Sequence, residues 1–488
     1  FTHKRNFQNM GSMVFKRHHF QKIQLFISLT FILFFSNACL LNPLIRKLLF
    51  PEKNSQNFTP FLSLLFSQPS NGNVSDGNGS DQNNSSGTNT RVITLSNSTL
   101  NLQRSGTSQL LASLTVNGQA SSGTFSWSSS NASIATVSNT GLVTGISNGT
   151  VSIIATDSEG VSSSPCYVSV YSGFVYASLD KGNLVSQMTM DNSTGLLTLN
   201  NVYGAGSGPN GVATDPLGRF LYVGNFYDDN ISQFTINSSN GNLTANGSIA
   251  APSSPRHIAV SKDGRFLYLA AEATSTIRIY NINSDGTLTF SNVFNLGGST
   301  SQVAVEPSGK YVLALHPVGT QLSSFLIDST NGTLTLANTG PTMVSSGLIS
   351  VHPNGEFIYV GSSPNLTVLR FNSNDGSISL IGTLAHTPQP NGSAVHPNGR
   401  FFYTANISNA TISIFEINQT TGMISDLGNI ATSGTDLRFI LIDPTGRFAY
   451  AAHNTGNLQQ FSIDQTTGAL TSLGDVSAGG DQWFLIFM

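Results

Sequence analysis

Asp215-Pro-Leu-Gly-Arg-Phe-Leu-Tyr222 is the stretch that decides the fold, because it returns five more times along the chain. The copies are Ser261-Lys-Asp-Gly-Arg-Phe-Leu-Tyr268, Glu306-Pro-Ser-Gly-Lys-Tyr-Val-Leu313, His352-Pro-Asn-Gly-Glu-Phe-Ile-Tyr359, His396-Pro-Asn-Gly-Arg-Phe-Phe-Tyr403 and Asp443-Pro-Thr-Gly-Arg-Phe-Ala-Tyr450. Their glycines, Gly218, Gly264, Gly309, Gly355, Gly399 and Gly446, are spaced by 46, 45, 46, 44 and 47 residues. Each copy is a polar turn between two apolar runs. A repeat in the mid-forties with that pattern is the length of one four-stranded β-propeller blade.

A second motif runs in phase with the first: a strand, a polar turn ending in glycine, and another short strand. Ile279-Tyr-Asn-Ile-Asn-Ser-Asp-Gly286 and Phe325-Leu-Ile-Asp-Ser-Thr-Asn-Gly332 are examples. Its glycines are Gly195, Gly241, Gly286, Gly332, Gly376, Gly422 and Gly468, one more than the first motif has. Glycine suits a tight hairpin there because it takes positive φ without steric cost. Residues 174–177 match the strand after each Pro-x-Gly-Arg turn, so the first blade lacks its own first strand. Trp483-Phe-Leu-Ile-Phe-Met488 matches the missing one. The expectation is a seven-bladed propeller over residues 173–488, closed by its C-terminal strand, which removes the open edge of the array.

The chain has 488 residues, only 9% of them charged, and a net charge of −3. That balance offers no basic surface for nucleic acid, and the many short apolar runs in an uncharged polar background fit an all-β extracytoplasmic protein. The two cysteines, Cys39 and Cys166, stand far apart in unlike contexts, which argues against a disulfide between them.

The N-terminal region reads as an export signal over residues 1–38, with Met10 or Met13 as the expected start. Lys16, Arg17 and Lys22 precede an apolar run from Ile23 to Phe35, and Ser36-Asn37-Ala38-Cys39 follows. The run is shorter than the roughly 20 residues of a membrane span. Cysteine directly after a small residue resembles a bacterial lipobox of the relaxed spirochaete kind, although no Leu stands three residues before it. The resemblance implies lipidation at Cys39 and a cell-envelope location, at the surface or periplasmic face of an outer membrane. The alternative is ordinary cleavage beside an incidental cysteine. Residues 39–90 would be the tether: Leu40–Phe50 and Phe61–Phe66 are apolar, and 67–90 are rich in Ser, Asn and Gly.

Residues 91–172 carry no 45-residue echo. Strand-like runs at 98–102, 124–127, 134–137, 141–145, 150–155 and 167–171 suggest a β-sandwich. The run from Trp127 to Gly145 resembles the group 2 bacterial immunoglobulin-like domain, which implies a stalk or adhesive module. Trp127 and Cys166 read as core residues.

The candidates for chemistry lie in the propeller. His352 and His396 share the slot of Asp215 and Asp443 and read as turn-binding acceptors. No metal-ligand spacing, phosphate loop or Gly-x-Ser-x-Gly elbow occurs, so no cofactor is expected. The starts of the innermost strands should ring one mouth of the central channel. Eight residues before each repeat glycine stand Asn210, Arg256, Ser301, Gly347, Asn391 and Arg438, and Asp481 or Gln482 completes the set. With His257 beside Arg256, these are the candidate ligand-binding residues. Two arginines among amides suit an anionic or polyhydroxylated ligand; the plainer alternative is a set of solvated loop residues.

Residues 173–488 resemble the seven-bladed lactonase family, which includes 6-phosphogluconolactonases and a muconate-lactonising enzyme. Pro255-Arg-His-Ile-Ala-Val260 with Glu272 downstream resembles that family's Pro-Arg-His and Asn-Glu segments. The resemblance implies catalytic roles for Arg256 and Glu272. The family's Pro-His is Pro209-Asn210 here, its Asp-Leu-Gly-x-Asp is Asn225-Phe-Tyr-Asp-Asp229, and a further Arg falls near Pro317. An Asn amide is no base, and general acid–base groups contribute roughly 10²–10⁴-fold in rate. The leading expectation is therefore a lipid-anchored envelope protein whose propeller binds a host or envelope protein, a glycan or a small lactone. The alternative is a lactonase with an altered site, and a purely structural envelope protein is the third reading.

Overall fold

The computed structural model describes residues 89–316, 321–343, 348–361, 364–386 and 388–488, apart from the Trp483 side chain. The expected signal segment, Cys39, the tether up to residue 88, Pro317 and Gly347 lie outside these residues. All the elements among the described residues are strands.

The first ten strands, from Arg91–Leu95 to Cys166–Tyr171, form the immunoglobulin-like sandwich of three small sheets. The six strands expected from sequence are present within a few residues of their expected bounds. Four others, Arg91–Leu95, Thr107–Gln109, Ala112–Val116 and Gln119–Ser121, are short or polar and lack a readable alternation. The last strand pairs in parallel with Thr99–Gln103, Tyr167 opposite Thr99. Leu110, Val143, Ile153, Cys166 and Val168 are fully buried in the core. Half-buried Trp127 packs against them. Burial pushes the free Cys166 thiol up to about 11.

From Phe174 onward the strands form seven four-stranded antiparallel sheets. Six are built from consecutive strands. The first has the order Leu197–Gly204, Leu184–Met190, Phe174–Leu179 and then the C-terminal strand Gln482–Phe487. Val175, Tyr176 and Ala177 face Phe487, Ile486 and Leu485. The expected closure by the chain's last strand is thus present. The first strands of neighbouring blades pack side by side round a central axis, with blade 1 touching both blade 7 and blade 2.

Burial peaks at the second strands and falls towards the rim, and the sequence pattern follows it. The second strand of blade 2, Phe220–Asn225, is buried at every position, as is Phe401–Asn406 in blade 6. Strands covered on both faces read as unbroken apolar runs. The fourth strands, such as Leu243–Ala250, are exposed over most of their length.

The two repeated motifs lock neighbouring blades together. Tyr222 Oη donates to Gly286 O at 3.0 Å, Tyr403 Oη to Gly468 O at 2.8 Å, and Tyr450 Oη to Gly195 O at 2.7 Å across the ring closure. The same glycine receives the neighbour's phenylalanine. At Gly286 (φ +85°) a Cβ would stand 2.2 Å from the Phe220 ring, so no other residue fits.

Chain direction in an antiparallel blade sorts the connections into two ends. Turns between first and second and between third and fourth strands lie at one end. Turns between second and third strands, with the blade-to-blade links, lie at the other. The immunoglobulin-like domain sits on the first end: Asn101 Nδ2 donates to Pro444 O, Arg104 Nη1 to Ser238 O, and Gly218 abuts Asn148. Tyr171, on its last strand, is buried in the propeller core beside Phe448 and Tyr450.

Candidate functional site

The opposite end carries the starts of the first strands. Arg256 lies on Pro255–Val260 and Glu272 directly follows Phe266–Ala271. Pro255 pairs with Ala271, and Glu272 N donates to Ser254 O at 3.1 Å, so the two side chains leave adjacent strands together. Arg256 Nη1 meets Glu272 Oε2 at 2.5 Å, with both side chains about a third exposed. A surface pair of this kind contributes about 1 kcal/mol or less to folding.

Asn210, one blade earlier, is only 8% exposed. Its backbone oxygen accepts from Ser178 Oγ at 2.6 Å, whereas its buried Oδ1 has no hydrogen-bond partner. A buried acceptor left unpaired is costly and calls for an explanation. Asp481 pairs with Lys181. Across the ring, Asn391 Nδ2 donates to Arg438 O at 3.2 Å, and Arg438 Nη2 meets Asp436 Oδ2 at 2.7 Å. Pro390-Asn391-Gly392 followed by Arg438 repeats Pro209-Asn210-Gly211 followed by Arg256. Half-exposed Ser301 donates its backbone N–H to Leu315 O. Each of the two arginines at this mouth therefore has its own carboxylate.

The glycines in those tripeptides explain what lies beneath the mouth. A Cβ on Gly211 would stand 2.8 Å from His257 Cα, and one on Gly392 2.7 Å from Phe439 Cα. Through these gaps the neighbouring strands press inward. His257 meets Phe484 edge to face at 5.3 Å, and Phe439 meets the same ring at 5.2 Å. Three rings from blades 3, 1 and 7, each of them partly exposed, thus pack in a row below the mouth. His257 is one of them. Burial, reinforced by the Arg256 charge and opposed by the backbone of Val303, pulls its pKa down to about 4, so the ring is neutral at pH 7.

The structure also shows a feature the sequence reading passed over. Tyr227 is 69% exposed, and its ring lies on Gly208, where a Cβ would come within 2.4 Å of it. The signal was in Asn225-Phe-Tyr-Asp-Asp229, where the resemblance leads one to expect Gly in place of Tyr227. His352 and His396 are turn-builders as expected: Nδ1 accepts from Asn354 N (3.2 Å) or Asn398 N (3.1 Å). Each Nε2 reaches the next blade, at Gly399 O (2.9 Å) or Gly446 O (2.7 Å). A cleft of about 330 Å³ opens on the flank of blades 1 and 2 between Gly204, Ser232 and Gly247; none of the mouth residues lines it.

The profile of the seven-bladed β-propeller lactonase family matches residues 133–254, 245–392 and 348–486, and the chain belongs to that family. The profile of the bacterial Ig-like domain, group 2, matches residues 90–168. The overlap at 133–168 falls on strands of the immunoglobulin-like sandwich. Among solved structures, the chain is similar to a Bacteroides fragilis protein provisionally described as a 6-phosphogluconolactonase (22% identity, 64% of this chain and 97% of that one, TM-score 0.58). It is also similar to the periplasmic gluconolactonase of Pseudomonas aeruginosa (18% identity, 64% and 98%, TM-score 0.58). At these identities the likeness establishes the fold. No curated protein sequence matches the chain.

Proposed function

We propose that the propeller binds a small ligand at the mouth formed by blades 1–3, and that the chain presents this mouth from the bacterial cell envelope. The observation that carries the reading is the Arg256–Glu272 pair, standing at the channel mouth one blade from the unpartnered Asn210 Oδ1. Arg256 supplies donors, Glu272 an acceptor and Asn210 an amide, which is a recognition set. The immunoglobulin-like domain, docked on the other end, leaves this mouth open. Lipidation at Cys39 would hold the assembly at a membrane, since two or more acyl chains anchor stably. Incorporation of an alkynyl fatty acid, abolished by Cys39→Ser, is the expected result.

A second reading is lactone hydrolysis, favoured by family membership and by the Arg256–Glu272 pair. Glu272 would take a proton from water as the water adds to the lactone carbonyl. Arg256 would stabilise the oxyanion, and the ring C–O bond would then break as Glu272 returns the proton to the leaving oxygen, releasing a hydroxy acid. Asn210 cannot take a proton, and His257 is a weak base. The full chain is to be assayed against a panel of sugar and aliphatic lactones, with Arg256→Ala and Glu272→Ala alongside. Binding without turnover, lost in Arg256→Ala, is the expected outcome. Turnover falling 10²-fold or more in both variants would replace binding with catalysis. Neither binding nor turnover would remove both readings.

A further inference from the structure

The cleft of about 330 Å³ on the flank of blades 1 and 2 lies away from the mouth, and another blade shows what it is shaped to hold. Blade 6 repeats its walls. Asn406, Ser413 and Phe415 stand where Asn225, Ser232 and Phe234 stand in blade 2, at the same register of the second and third strands. Asn225 Nδ2 donates to Ser232 Oγ at 2.8 Å, and Asn406 Nδ2 to Ser413 Oγ at 2.8 Å. The residue that leaves the preceding blade differs. It is His386 before blade 6 and Ala205 before blade 2, and each donates its N–H back to that preceding blade, to Pro364 O and to Asn183 O, at 2.8 Å. The buried His386 imidazole stands edge to face on Phe415, with 5.6 Å between ring centres. Blade 2 has the same phenylalanine and an alanine in place of the ring.

Small residues keep the place open: Gly204, Ala205 and Gly206 on one side, Ser232, Ala245 and Gly247 on the other. Blades 3, 4 and 7 put a longer side chain at one of these positions. Arg278 and Gln459 stand in the register of Ser232, and Leu296 in that of Ala205. The hydrogen bonds around the opening define its polarity. Ser232 Oγ already accepts from Gly206 N at 3.2 Å and from Asn225 Nδ2, so its O–H is left to donate. Asn230 Oδ1 accepts from Asn225 Nδ2 at 2.6 Å, and the Asn230 side-chain NH2 has no acceptor among the described residues. Asn225 itself is fully buried behind Gly206 and takes no part. Among the described residues, none that lines the cleft is charged. The wall thus offers donors and the Phe234 ring, and no charge.

We propose that this cleft binds an uncharged planar nitrogen heterocycle of imidazole type, seated against Phe234 and accepting a hydrogen bond from Ser232 Oγ through its unprotonated ring nitrogen. A free heterocycle and the histidine side chain of a peptide share this chemistry. The site is independent of the mouth. The test is ligand-observed NMR on the full chain with imidazole, pyridine, benzene and N-methylpyridinium, at about pH 8 so that imidazole is neutral. Imidazole and pyridine are expected to bind about fivefold more tightly than benzene, which has no acceptor, and than N-methylpyridinium, whose nitrogen is blocked and charged. Ser232→Ala should remove that advantage and leave benzene unchanged. Gly204→Phe should abolish binding of every ring, because a Cβ there meets nothing within 4 Å and the new side chain fills the cleft. Ala205→His, which copies blade 6, is the second blocking variant should Gly204→Phe not fold. Binding of N-acetylhistidine amide as well as imidazole would assign the site to a peptide histidine, and binding of imidazole alone to a free heterocycle. No binding of any probe, benzene as tight as imidazole, or binding unmoved by both blocking variants would overturn the proposal.

Discussion

At the scale of the residue, the repeat's commonest letters build the ring. The repeat arginines stack on the phenylalanine that follows them, as Arg219 does on Phe220 at 4.9 Å and Arg447 on Phe448 at 5.1 Å. They lie at the end opposite the candidate site. The repeat tyrosine ties blade to blade. Blade 4 has Leu313 in that slot, and there Ser324 Oγ donates to Gly376 O at 2.5 Å instead. Tyr450→Phe removes the tie across the closure and should cost about 1 kcal/mol. The expected sign is a lower urea midpoint at unchanged slope. Buried histidines set the acid response. Burial lowers the pKa of His257, His316, His396 and His453. The unfolded chain takes up these protons near pH 6.5, the folded one only at lower pH. Stability is therefore complete above pH 6.5 and declines below it, towards pH 4 for His257. Urea titrations from pH 7 to 5 should show a falling midpoint; a flat profile would contradict the assignment.

At the scale of the element, the C-terminal strand has more tasks than the six other first strands. It completes blade 1 by pairing with Phe174–Leu179, and it places Phe484 between His257 and Phe439. Its terminal residue is also held by the joint between the domains. Ser172 N and Oγ donate to Met488 O at 2.8 and 2.6 Å, and Met488 N donates to Phe174 O at 2.9 Å. Deleting Trp483–Met488 would expose the edge of Phe174–Leu179 and remove the partner ring of His257 and Phe439. The expected result is loss of the cooperative thermal transition, with aggregation. An unchanged melting curve would refute the role given to closure.

At the scale of the whole molecule, the immunoglobulin-like domain and the propeller share a core. Only Ser172 and Gly173 separate the last sandwich strand from the first propeller strand, and Tyr171 is buried among propeller residues. The domain bears on turns of blades 7 and 2 and on the chain end of blade 1, the neighbourhood of the closure. This coupling predicts a single calorimetric transition for the full chain. Tyr171→Ala should lower that transition's midpoint, since truncating a buried aromatic typically costs about 3–5 kcal/mol. Two independent transitions, with the upper one unmoved by the substitution, would show that the domains fold separately.

Blade number, the turn glycines and the closing strand were legible in the sequence, because each depends on a local pattern repeated seven times. The chemistry of any one blade needs only its own residues and its place in the count. The candidate site was legible in part: counting located the strand starts with Asn210 and Arg256, and the family resemblance pointed to Glu272. Their partners could not. Arg438 meets Asp436 and Tyr227 meets Gly208 within a single blade, but whether His257 packs against Phe484 and Phe439 depends on side chains brought together from different blades. The same holds for the end of the propeller that the immunoglobulin-like domain occupies. Local pattern determined the scaffold, and only the closed ring decided which side chains meet at its axis, because those contacts join residues a blade or more apart in the chain.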